Sequence, residues 1–322
     1  MERVNRNTLF ETILMICALV YLVVSSFYVP LGVTDSKWIP IIAGLVDTEV
    51  LFTSKGLSYL LSFISILLLI FSVSFILKRT MDLNFNIPYM SLFMLLIIFS
   101  DNRSLYFNQI YPVALCFVWA QYCLLYGQLF FSFLLLSLGA LFYAPFIWLF
   151  PVYLFLILFN PMDLPKNLVK AISGFLIPVI YLLSFRFIRY DDTYEFIYKF
   201  IKEMFFINDE LFYIHFPTLF LILCLIFISV HSVLHSLKKL YRKGRDVVNI
   251  VKLESISLCI LFLFFILFSH QHTVPLVILV SIPVGVLYSY YFAHRTGNYL
   301  SNVEIILLVC ALIIARSSNF IN

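Results

Sequence analysis

LFFSFLLLSLGALFYAPFIWLFPVYLFLILF, Leu129 to Phe159, is a run of 31 residues without a single charge. As one helix it would be about 47 Å long, against a hydrocarbon core of about 30 Å. Gly139, Pro145 and Pro151 offer a second reading, two shorter helices turning at Tyr143-Ala144-Pro145. The charges on either side decide between them. With two helices and a cytoplasmic N-terminus, the cytoplasmic segments hold 13 of the 21 Lys and Arg: Arg3, Arg6, Lys78, Arg79, Lys166, Lys170, Lys238, Lys239, Arg242, Lys243, Arg245, Lys252 and Arg295. Counted as one span, the stretch would flip every later segment and put the basic cluster 238–252 outside. The hairpin is therefore the reading the chain supports.

Outward from that run the pattern repeats. The 322 residues are 63% hydrophobic and 12% charged, with a mean hydropathy of +1.02. Soluble domains average about 45–50% apolar and about 25% charged residues, so lipid has to be the solvent. That excludes a cytosolic enzyme, a secreted disulfide scaffold and a nucleic-acid-binding domain. The six cysteines all fall in apolar runs and read as small hydrophobes. The first apolar run has no small-x-small exit, and reads as an anchor that stays.

Apolar runs between charged breaks number eleven, at roughly 9–30, 57–77, 89–100, 110–126, 129–143, 146–159, 170–187, 216–236, 255–269, 274–293 and 302–315. They do not alternate as barrel strands would, so the expected fold is all-α, a polytopic integral membrane bundle of about 11 transmembrane helices (9 to 12). The N-terminus is cytoplasmic, the C-terminus periplasmic, and residues 1–322 form a single transmembrane domain. The run at 89–100 is short for a span: either its true bounds are wider, or 89–126 is a shallow hairpin whose turn, Ser100-Asp101-Asn102-Arg103, is sunk below the outer surface. Two segments differ from the rest. Residues 238–252 form a cytoplasmic basic loop suited to anionic headgroups. Residues 192–206 place Phe196, Ile197, Phe200, Ile201, Met204 and Phe205 on one helical face, opposite Glu195, Lys199, Lys202 and Glu203, as in a helix lying in the outer interface.

This topology collects reactive side chains on the outer face. Asp35 and Asp47 in the first outer loop are the candidate catalytic carboxylates, as general bases toward an acceptor hydroxyl. Arg103, Arg186, Arg189 and His270 are candidate substrate-binding residues, arginines holding a lipid-linked phosphate through paired hydrogen bonds. His270-x-His272 and the i,i+4 pair His231 and His235 have zinc-ligand spacing. The two pairs lie at opposite faces, however, and neither has a neighbouring Cys, Asp or Glu, so no metal and no cofactor is expected. Ion-coupled carriers keep ionisable groups inside their spans. Here Glu11 and Glu304 fall near the inner span ends and Arg186 and Arg316 near the outer ones, which speaks against such a carrier. A passive flippase path between helices stays open. There is no P-loop, dinucleotide fingerprint, nucleophile elbow or His-Glu-x-x-His.

The stretch 124–185 resembles a family of uncharacterised polytopic inner-membrane proteins of Bacteroidota, filed as a domain of unknown function. The residues that carry the likeness are Leu124-Leu125-Tyr126-Gly127-Gln128, Leu138-Gly139-Ala140-Leu141-Phe142-Tyr143-Ala144-Pro145, Leu158-Phe159-Asn160-Pro161 and Gly174-Phe175-Leu176-Ile177-Pro178. Members usually carry a Trp-Arg-Glu run after the proline, where this chain reads Met162-Asp163-Leu164-Pro165-Lys166. The resemblance implies a multi-pass location in the bacterial cytoplasmic (inner) membrane and no known activity. The layout is also similar to that of glycosyltransferases using polyprenyl-phosphate sugars, which would make Asp35 or Asp47 the acid and set Arg186 or Arg189 against the lipid phosphate. The function expected first is a non-enzymatic component of cell-envelope assembly. The alternatives are such a glycosyltransferase-like enzyme, and a lipid or small-molecule transporter. The expected partners are the lipid bilayer, a polyprenyl-linked lipid and other envelope membrane proteins, without nucleic acid.

Overall fold

The structure, a computed structural model, describes residues 6–28, 55–80, 86–158, 163–190, 193–204, 216–240, 245–295 and 299–318. Among them there is no strand. In chain order they form α1 (Arg6–Tyr28), α2 (Lys55–Thr80), α3 (Ile87–Ile98), a 3-10 turn (Asn102–Leu105), α4 (Ile110–Leu125), α5 (Leu129–Phe142), a second 3-10 turn (Ala144–Trp148), α6 (Leu149–Leu158), α7 (Leu164–Tyr190), α8 (Thr193–Met204), α9 (Phe216–Leu240), α10 (Arg245–Arg295) and α11 (Tyr299–Ser318). An all-helical chain is what hydrocarbon permits, since helices satisfy every backbone group internally. Among the described residues, four helical segments are long and apolar enough to cross a membrane: Gly56–Arg79, Leu164–Arg189, Leu219–Ser236 and Leu300–Ser317. Six shorter apolar helical segments accompany them, among them Phe10–Ser25 and Leu276–Phe292.

The helices group into two units. One takes residues 35–72 and 106–208. Here the 129–159 run breaks as its sequence indicates. Tyr143 is extended (φ −143°, ψ 99°), Pro145 opens the 3-10 turn, and the chain doubles back, so that Phe133 meets Phe150 at 5.3 Å between ring centres. Gly174 of α7 lets its helix lie directly on the Phe130 carbonyl of α5. Ser132 donates to the Ala120 carbonyl at 2.8 Å, tying α5 to α4. α8 sits where the amphipathic stretch was read. Phe196 and Phe200 pack on Leu141, Ala144 and Leu182, while Tyr194, Ile197, Tyr198 and Ile201 stay exposed. One stripe holds the helix to its unit and the other is exposed.

The other unit takes residues 1–34, 73–105 and 209–322. α1 and α11 run parallel. Ser301 donates to Glu11 at 3.4 Å near their N-terminal ends, and Arg316 donates to Ser25 at 2.9 Å near their C-terminal ends. The two contacts are about 22 Å apart along α11. α3 starts at the end marked by Glu11, with Tyr89 on Thr12 at 3.2 Å, and runs toward the end marked by Arg316. It can stop after 12 residues because the turn after it satisfies its last carbonyls. Ser100 donates to the Ile97 carbonyl at 2.7 Å and Ser104 to the Ile98 carbonyl at 2.5 Å, both serines being buried. Hydroxyls of buried serines thus satisfy helix-end carbonyls.

Residues 255–269 and 274–293 are not two helices with a loop between them. They run on as α10, 51 residues without a non-helical break. His270 and His272 therefore lie in helical backbone, not in an outer turn. α10 is nonetheless not straight. Its Tyr291 hydrogen-bonds His231 of α9 at 3.1 Å. From His231 through Leu240 to Arg245 the chain reaches at most roughly 45 Å with both side chains included, whereas a straight helix would hold Arg245 and Tyr291 about 69 Å apart. The helix must bend sharply between them. Pro275 and Pro283, each lacking a backbone donor, are the residues in this helix suited to such a bend. The stretch 238–252 is likewise mostly helical, its residues 238–240 closing α9 and 245–252 opening α10. The third of this helix from Leu276 to Phe292 is buried throughout.

Candidate functional site

Among the described residues, a set of buried polar side chains gathers in the second unit, at the end where α1, α3 and α11 begin. Each arrives by a local rule. Asn86 caps α3, its side chain accepting from the Tyr89 amide at 3.4 Å, and Pro88 takes an early position where its missing donor costs nothing; together they set Tyr89 in the first turn. On α11, Ser301 and Glu304 are three residues apart and share a face. On α10, Tyr288 and Tyr291 do the same, and α9 contributes His231.

At the centre is the carboxylate of Glu304, 3% exposed. The Tyr291 hydroxyl donates to its Oε2 at 2.7 Å, and His231 Nδ1 contacts its Oε1. The same Nδ1 lies 3.1 Å from the Tyr291 hydroxyl, so carboxylate, imidazole and phenol close a triangle. Both carboxylate oxygens are thereby engaged, which is what lets a carboxylate sit in an apolar bundle. One turn away, Ser301 reaches Glu11, itself 1% exposed. Thr12, next to Glu11 on α1, bonds Tyr89. Below the triangle, Tyr288 donates to the Leu225 carbonyl at 2.9 Å and meets Ser229 at 3.1 Å. The His235 ring stands edge-on to Tyr291, 5.4 Å between centres. Most of these groups are sealed off, but the His231 side chain is 29% exposed. Within the triangle of Glu304, Tyr291 and His231, the imidazole is the member that is not buried.

The opposite end of the α1–α11 pair is basic. Arg316 is fully buried, donating through Nε to Ser25 and through Nη2 to the Leu22 carbonyl at 3.3 Å, with Asp101 near enough to act on it electrostatically. An acid at one end and a base at the other thus bracket the same two helices.

The residues read as candidate sites fall differently. Asp35 and Asp47 lie outside the described residues. The side chains of Arg103 and His270 do too, although their backbones lie in the 3-10 turn and in α10. Arg186 is described, its guanidinium over the Phe196 ring at 4.6 Å, and Arg189 lies over Phe185 at 5.6 Å. Both act within the α7–α8 corner as stacking partners of aromatic rings. Among the described residues no three His, Cys, Asp or Glu side chains come together as metal donors. His231 and Glu304, by contrast, are in contact, and Glu11 bonds Ser301 one turn from Glu304; in the sequence these read as span ends and half of a zinc-spaced pair. The signal available in the sequence was the lone acid in each of two apolar helices, Glu11 in α1 and Glu304 in α11.

A scan of protein families finds no model that matches the chain, no curated protein matches it, and no solved structure matches its fold.

Proposed function

We propose that the chain is a multi-pass protein of a bacterial cytoplasmic membrane that serves the cell envelope as a carrier, moving a small molecule or a lipid rather than catalysing a covalent step. The observation that carries this reading is the Glu304–His231–Tyr291 triangle with Glu11 beside it. Ionisable groups are costly inside a membrane bundle and are kept there for ions, substrates or proton relays. A purely structural helix contact is met more cheaply by small or apolar residues. The basic residues around 238–252 favour placing the end that holds the triangle at the cytoplasmic face. The parallel course of α1 and α11 then favours a cytoplasmic N-terminus and a periplasmic C-terminus.

The test uses the full chain in proteoliposomes on a solid-supported membrane. Pools of sugars, amino acids, organic acids and nucleosides are applied in turn. An NBD-labelled phosphatidylethanolamine in the same vesicles is bleached by external dithionite. A pool-evoked current, or bleaching beyond the outer leaflet, is the expected result, and both are lost in Glu304→Gln. Silence of the folded wild type in both assays overturns the carrier reading.

A further inference from the structure

The triangle also bears on which ion such a carrier would use, an inference that rests on the carrier reading just given. We infer that the triangle is a proton-exchange site, in which His231 takes a proton from water at its exposed edge and shares it with the buried Glu304 carboxylate, while Tyr291 holds both. Three observations carry it. The donor set is wrong for a hard cation. Hard cations take six or more oxygens, whereas Glu304 here faces one imidazole nitrogen and one phenol. The set is right for a proton, because every neighbour of the carboxylate can give or accept one. Within the triangle, Glu304 and Tyr291 are buried and His231, 29% exposed, is the member that reaches the surface of the described residues.

The charge count agrees. A Glu304 carboxylate beside a His231 imidazolium is neutral as a pair. Loss of that proton to water leaves one net negative charge in an apolar bundle; a further proton leaves one net positive charge. Each exchange moves a single unit charge into or out of the bundle, with no bond made or broken except to hydrogen. The surrounding described groups are Glu11 from α1, Tyr89 from α3, Cys224 and His235 from α9, and Tyr288 from α10. Glu11 is the one further carboxylate among them, one turn from Glu304 by way of Ser301. A proton bound more tightly in one conformation than in another shifts the balance between them. The opposite end of the same helices, clasped by Arg316, is held by hydrogen bonds that this exchange leaves untouched.

The experiment is a pH jump on the solid-supported membrane, with the full chain in proteoliposomes and no solute present. Stepping from pH 7.5 to 6.0 evokes a transient current in the wild type. Glu304→Gln lowers the displaced charge at least tenfold, and His231→Gln lowers it at least threefold. Glu254→Gln, which removes another buried carboxylate of the same unit, leaves it unchanged. Size-exclusion profiles establish that the variants are folded. A Glu304→Gln current equal to the wild type overturns the inference. So does a current evoked by a Na⁺ step at fixed pH with no response to the pH jump. The two readings fail separately. Solute-evoked currents without a pH-jump response leave the carrier and remove the proton. A Glu304-dependent pH-jump current with every solute and lipid silent leaves the proton site and removes the carrier.

Discussion

Replacing Gly174 with alanine will loosen the α5–α7 crossing, and the magnitude is set by the atoms the added methyl meets. A Cβ at this position lands on the Phe130 carbonyl oxygen, with the carbonyl carbon at 3.1 Å and the Leu134 nitrogen at 3.3 Å. All three are backbone atoms of α5, which cannot rotate away, so the helices must part by roughly 1 Å. A gap of that size forfeits a quarter to a half of each dispersion contact along the seam. Overpacking of this kind costs about 1–3 kcal/mol and sometimes more. Alanine returns at most about 1 kcal/mol in helix propensity. Gly285 is the internal control, because its Cβ would meet the Met94 side chain, Cγ at 2.5 Å, and that chain has three rotatable bonds. Gly285→Ala should therefore fall within about 1 kcal/mol of the wild type. At roughly 2 °C per kcal/mol for a chain of this size, Gly174→Ala should melt a few degrees lower and Gly285→Ala near the wild type. Thermal unfolding of the purified protein in detergent, followed by size-exclusion fluorescence, reads the difference. A Gly174→Ala protein that melts at or above Gly285→Ala would refute the argument from backbone contact.

Three other substitutions or fusions test separate parts of the structure. Arg316→Ala removes donors to Ser25 and Leu22 from a fully buried site and should destabilise by about 3 kcal/mol, while Ser25→Ala costs about 1 kcal/mol; equal melting of Arg316→Ala and wild type would dismiss the clasp. Because α1 and α11 are parallel, an N-terminal fluorescent-protein fusion and a C-terminal alkaline-phosphatase fusion should both be active, and loss of the phosphatase signal in a stably inserted fusion would contradict opposite termini. Burial and the Tyr59 hydroxyl at 2.8 Å push Tyr106 up to about 12, from an ordinary value near 10. The protonated phenol is thus favoured in the folded chain, so its contribution is complete below pH 10 and is lost as the pH rises toward 12. A difference ultraviolet titration against Tyr106→Phe should show the late step, and Tyr59→Phe should bring it earlier; a step at the ordinary position in the wild type would exclude the pairing.

How far the fold could be read from residues alone depended on the range of the force involved. Lipid as solvent, the break at Tyr143-Ala144-Pro145 and the α8 stripe all rest on neighbours within a few residues, where composition, proline and a 3.6-residue period act directly. The run through His270 failed for the opposite reason. Polar residues between two apolar stretches look like a loop when each stretch is measured alone, yet hydrocarbon favours unbroken backbone hydrogen bonds, and a bent helix keeps them where a loop would not. Glu304 shows the limit most plainly. Along the chain it is one acid five residues into a helix, indistinguishable in kind from Asp101 in a turn. What makes it a site is His231, 73 residues earlier, while Glu11 bonds Ser301, 290 residues along and one turn from Glu304. No local period encodes such a pairing. A carboxylate near a span end is a boundary marker if it faces water and a working group if a neighbouring helix closes over it. The backbone position is the same in both cases, so the decision belongs to the packing of four helices, α1, α9, α10 and α11, and to nothing within any one of them.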